Sequence, residues 1–180
     1  MDFHNLVFIA SMGSVSSENY SVSLRFLHQF NCFKINSFSD EIITRIFSTL
    51  IMAGFRRNGF STELYPVAVS IISSTLEMYK FSMKHLLPTP TKSHYMFSLS
   101  DFARVVYGCI LCRRESVDSK RVLVRLWAHE ALRVFYDRLV EEDDRQVFYD
   151  KMMECVSEIF KEDVGETFEG LYNAEQQVCS

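Results

Sequence analysis

What this sequence most clearly lacks is a loop to grip phosphate. No G-x-x-x-x-G-K-[ST] occurs in its 180 residues, and no apolar strand closes in paired acids before residue 40. Cradling amides, a lysine and magnesium-holding acids carry out phosphoryl transfer, so the chain is not expected to do that chemistry alone. No run of 18 apolar residues exists, so no membrane span is expected. Positive charge is in deficit: the net charge is −4 and no helix is basic enough to read a groove. Nucleic acid is therefore not an expected partner. The apolar start (residues 6–10) has no basic segment before it and reads as a strand, not a signal peptide. The five cysteines are odd in number, which fits a reduced, cytosolic chain. Cys109 and Cys112 form a C-x-x-C, but no second pair accompanies it. They read as small buried hydrophobes rather than a zinc or redox site.

What is present is mostly helical period. Residues 5–11 (NLVFIAS) and 32–36 (CFKIN) read as two short buried strands, with a short helix, VSLRFLHQF, between them. For the first run, periodicity is equally compatible with a buried helix. Residues 13–21 are polar and turn-like. From Phe38 the pattern turns helical. Ser39 or Asp40 caps the first long helix, Glu41 suits its positive end, and Asn58-Gly59 stops it. Ile43, Phe47, Leu50 and Ile51 give its stripe, with Ile42 and Ile46 beside them. Tyr65, Val69, Ile72, Leu76, Tyr79, Met83 and Leu86 follow at alternating steps of 4 and 3, which predicts a second helix with these on one face. Pro88 and Pro90 stop it. A third helix starts near Ser98 or Ser100 and carries Phe102, Val105, Val106, Cys109 and Ile110. A fourth spans about residues 119–140, with His129 on its apolar face, and a fifth about 143–162. The whole is a five-helix bundle over 37–165, preceded by a strand–helix–strand remnant at 1–36 and followed by a flexible tail, 166–180.

Two long runs are dense in charged, aromatic and proline residues: LPTPTKSHYMFSLSDFARVV at 87–106 and RLWAHEALRVFYDRLV at 125–140. With SMG at 11–13, RFLHQFN at 25–31 and SDEIITRIFSTL at 39–50, they resemble, in order, the C-terminal part of a AAA+ module of axonemal dynein heavy chains. The third module of the motor ring is the nearest in pattern. The resemblance covers about residues 5–165 and implies the helical lid that follows an α/β nucleotide-binding part.

In that family a lid arginine, sensor II, approaches the nucleotide phosphates; the resemblance assigns it to Arg104. A guanidinium stays charged and donates to phosphate oxygens in a planar fork. A trans-acting arginine toward the neighbouring module corresponds to Arg25 or to the position of His28, where the family pattern has a second arginine. If His28 marks the finger, that role is lost. The sensor I position falls on Gly13, which has no side chain to orient water. The resemblance further implies ATP or ADP with magnesium as cofactors of the intact module. The implied partners are the rest of the motor ring, intermediate and light chains and microtubules. The implied setting is the cytoplasm and cytoskeleton, in the axoneme of a cilium. A non-enzymatic helical interaction module is the alternative.

Two clusters are weighed apart from the resemblance. Lys92, Ser93 and His94 precede a helix and could favour an anion, but a packed connection held by Tyr95 and Phe97 is the simpler reading. His129, Glu130 and Arg133 read as a local network that satisfies buried polar groups, with His129 in the core.

Overall fold

The computed structural model describes residues 6–12, 22–162 and 164–168. The chain divides into two compact units, residues 1–37 and 38–180.

In the first unit, α1 is a single turn, Leu24–Leu27, opened by Ser23, whose hydroxyl accepts from the Phe26 amide. The expected strands at 5–11 and 32–36 are a correction: described residues 6–12 and 32–36 have no strand structure. A strand exists through ladder hydrogen bonds to a neighbour, and two short apolar runs supply none without a third strand to pair with. Phe8, Ile9, Phe33 and Ile35 are all exposed. Gly13 and the whole turn at 13–21 lie outside the described residues.

The second unit is a helical bundle. Its long helices are α2 (Asp40–Arg57), α3 (Tyr65–His85), α4 (Leu99–Leu111), α5 (Lys120–Ala131) and α6 (Glu142–Cys155). A short α7, Val164–Thr167, follows. The sites of both expected breaks in α2 and α3 are occupied as their chemistry requires. Asn58 ends α2 and Gly59 takes a left-handed φ of 73°. Helix α3 ends at His85, ahead of Pro88.

Helix α3 is the hub: it packs on α2, α4, α5 and α6. That position explains one difference from the expected stripe. Val69 and Met83 are exposed, while Val67, Ala68, Ile71, Ser74, Thr75, Met78 and Ser82 are buried with Ile72. A helix touched on several sides buries its small polar residues too, and these dilute the apolar period. Their hydroxyls are mostly satisfied locally: Thr75 donates to Ile71 O (2.6 Å) and Ser82 to Met78 O (2.8 Å). Thr75 Oγ1 also accepts from the indole of fully buried Trp127 at 2.9 Å, tying α3 to α5. Phe102 of α4 packs against Phe47 of α2, with ring centroids 4.6 Å apart.

Helices α5 and α6 each end in a π turn, Leu132–Tyr136 and Val156–Phe160, where straight α-helix was expected. Lys161, at φ 53°, closes the second. Of the expected tail, Thr167 and Phe168 are buried; the Arg125 guanidinium donates to Thr167 O. Residues 169–180 lie outside the described residues. Among the described residues, no helix is long and apolar enough to cross a membrane.

Candidate functional site

The N-terminus of α4 is built by a reciprocal cap. The Asp101 carboxylate accepts from the Ser98 amide (2.9 Å) and from the Ser98 hydroxyl (3.1 Å). Its other oxygen accepts from Arg138 Nη2 at 2.8 Å and from Arg104 Nη1 at 3.2 Å. Asp101 is only 5 % exposed. Burial alone would push its carboxyl up; the Arg138 hydrogen bond, the Ser98 bonds and the Arg138 charge outweigh this and hold it below the usual carboxylate range.

The two guanidiniums on Asp101 differ. Arg138 is 23 % exposed and is committed: it also donates to Val134 O (3.1 Å) and Met96 O (3.2 Å), and it lies over the Phe97 ring. Arg104 is 66 % exposed, and the long contact to Asp101 is the bond found for it among the described residues. The side chain lies beside the space between α4 and the π turn after α5. There a cavity of about 370 Å³ is lined by Arg104, Tyr107, Gly108, Leu111, Arg133, Val134 and Arg138.

Opposite Arg104 stands Arg133, 58 % exposed, held by one oxygen of Glu130 through Nη2 (2.7 Å) and Nε (3.2 Å). Glu130 reaches this place because residue 108 is glycine: a Cβ on Gly108 would fall 2.2 Å from Glu130 Oε2. The network expected at 129–133 therefore forms between Glu130 and Arg133, but His129 is a correction. It is exposed, with Nδ1 3.4 Å from Glu130 Oε1, and Glu130 takes the buried position instead. The two are neighbours on a helix, about 100° apart, and the buried face runs through Leu123, Trp127, Glu130 and Val134, which turns His129 outward. Cys109 is buried, and burial together with the Glu130 charge pushes its thiol up, the direction that disfavours a reactive thiolate.

Lys92 is not part of this site. Its ammonium is held by Asp144 (2.6 Å) and by Glu141, while Tyr95 donates to Asp144 (3.1 Å) and accepts from the Val140 amide (2.9 Å). His94 contacts Arg138 O at 3.0 Å. The loop at 88–97 is a packed connection. Arg25 sits in the other unit, exposed on α1 with His28 as its C-cap.

Sequence reasoning missed Arg138, the cation that neutralises Asp101. A signal was available: a capping-box aspartate that becomes buried needs a cation, and the run at 125–140 carries Asp137-Arg138 just before its last two residues. Among the described residues, no group of three or more His, Cys, Asp or Glu side chains converges to hold a metal. The guanidiniums around the cavity fit the phosphate end of a nucleotide, while the described residues offer no ligand set for its magnesium.

A family model described as the AAA+ lid domain matches residues 71–170. Dynein axonemal heavy chain 12 of Rattus norvegicus is 45 % identical over 163 residues, covering 91 % of this chain and 5 % of that protein. Dynein axonemal heavy chain 3 of Homo sapiens is 35 % identical over 164 residues, covering 91 % of this chain and 4 % of that one. Dynein axonemal heavy chain 10 of Homo sapiens is 35 % identical over 160 residues, covering 89 % and 4 %. The chain thus spans about a twentieth of the length of the first of these relatives. On these grounds the chain belongs to the AAA+ lid domain family and is homologous to a segment of axonemal dynein heavy chains.

Proposed function

We propose that this chain serves as the lid of the third AAA+ module in an axonemal dynein heavy chain, with Arg104 as its sensor II residue. The observation that carries the reading is the exposed Arg104 guanidinium at a basic cavity. It lies in a run whose order of motifs matches that module: RFLHQFN, then LPTPTKSHYMFSLSDFARVV, then RLWAHEALRVFYDRLV. In the intact module, ATP with magnesium supplies the phosphoryl chemistry. The chain's own contribution is a guanidinium loosely held by Asp101, which bonds mainly to Arg138 and so competes only weakly with phosphate for Arg104. Arg25 would act toward a neighbouring module. The lid would relay nucleotide state around the ring of a motor that moves along microtubules in the axoneme of a cilium. The remaining heavy chain and the intermediate and light chains would be its partners. Alone, the chain would not hydrolyse ATP.

One observation favours a second reading, a helical interaction module. An apolar groove of about 660 Å³ runs between α2 and α4, with Leu50 and Tyr107 more than half exposed along it. Mapping the transcript upstream of the Met1 codon separates the two. The motor reading expects an in-frame phosphate loop roughly 100–150 residues upstream, the span of the large part of such a module. A promoter serving Met1 directly, with no such loop, would contradict it and favour the interaction module.

A further inference from the structure

We propose that Arg133 acts with Arg104 as a two-guanidinium clamp for one phosphate-bearing anion, seated in the cavity between α4 and the π turn after α5. The proposal rests on the reading of Arg104 as a phosphate-facing residue and adds the second jaw. Both side chains line the same cavity and both are more than half exposed. Each is anchored from below by a carboxylate that is nearly buried, Asp101 under Arg104 and Glu130 under Arg133. Neither carboxylate lines the cavity, whereas three guanidiniums do, and that balance of charge favours an anion. A third guanidinium, Arg138, also lines the cavity; each of its three nitrogens is already bonded, to Val134 O, Met96 O and Asp101, so it contributes mainly its field. Gly108 is what brings the jaws to one site. Any side chain there would occupy the space of the Glu130 carboxylate and displace Arg133 with it. Both jaws are partly engaged by their own carboxylates, so affinity is weak, with a Kd of about 10 mM for a polyphosphate.

The test is a titration of the full chain with sodium tripolyphosphate, read by the arginine Nε–Hε resonances. Arg104 and Arg133 are expected to shift on one saturating curve. Exposed Arg45 and Arg56 of α2, which do not line the cavity, serve as reference. Arg133→Lys keeps the charge but loses the fork, and should weaken the Arg104 response about fivefold while the melting curve stays cooperative. Saturation at Arg104 with Arg133 unmoved, and no effect of R133K, would overturn the clamp and leave the Arg104 reading standing. Silence at both would overturn both. Equal, unsaturable shifts at all four would mean diffuse counterion binding and would also overturn the clamp. With the clamp supported, ATP in place of tripolyphosphate identifies the source. Added shifts of the Leu50 and Ile110 methyls in the neighbouring groove would indicate a nucleotide, and identical shifts a free polyphosphate.

Discussion

Lys92 and Arg104 are both basic, both near the start of α4, and both reasonable anion ligands by sequence, yet their environments are opposite. Lys92 is 16 % exposed and spans two carboxylates from the turn before α6 and its first turn. Those bonds raise its pKa above the ordinary lysine range. Arg104 keeps one long contact and faces solvent. What separates a structural cation from an available one is therefore the placement of its carboxylates. Asp144 meets Lys92 head-on, whereas Asp101 spends its charge mainly on Arg138 and leaves Arg104 loosely held.

The largest effect is expected where this arrangement is anchored. Arg138→Met leaves buried Asp101 without its main cation and should cost about 3 kcal/mol in denaturant unfolding. The same pair sets an acid limb. Because the folded pKa of Asp101 lies below its unfolded value, its contribution is complete above about pH 4 and is lost as pH falls through the folded value. Asp101→Asn should flatten that limb; an unchanged limb would mean Asp101 is not held this way. Next in size, Gly108→Ala forces Glu130 from its seat and should cost about 1–2 kcal/mol.

Lys92→Met should lower the melting temperature by less than Arg138→Met, and adding Asp144→Asn should cost little more, since both act on one bridge. The Lys92 bridge stabilises fully below the unfolded lysine pKa of about 10.4 and is lost only as pH rises through the higher folded value. The smallest effect belongs to Arg104→Ala, within about 0.5 kcal/mol of the parent in the same unfolding assay. If it destabilised as much as Arg138→Met, the contrast between structural and available cations would collapse.

The sequence was most legible where local chemistry decides. Ser98 marks the start of α4, Phe102, Val105, Val106 and Cys109 its buried stripe, and Asn58-Gly59 the end of α2. It was least legible where tertiary contacts choose among near-equal alternatives. Residues 6–10 and 32–36 are apolar enough for strands, but a ladder needs a partner that the run itself does not encode. In α3, hydroxyl residues bonded to their own backbone hide the buried face. In α5, one step of helix rotation decides whether His129 or Glu130 goes inside, and no period resolves that. Arg138 lies beyond a π turn, which shifts register past where a straight helix would place it. Of the arginines lining the cavity, Arg104 could be named as a phosphate ligand only from resemblance, and Arg133 only as part of a local network.

The most direct test is calorimetry of ATP and ADP, with magnesium, against the purified chain. A lid that contributes guanidiniums but no phosphate cradle gives no saturable heat up to about 1 mM nucleotide, a limit well under the weak affinity of two exposed cations. Clear one-to-one binding in that range, lost in Arg104→Ala, would mean that the helical unit holds nucleotide unaided and would contradict the account.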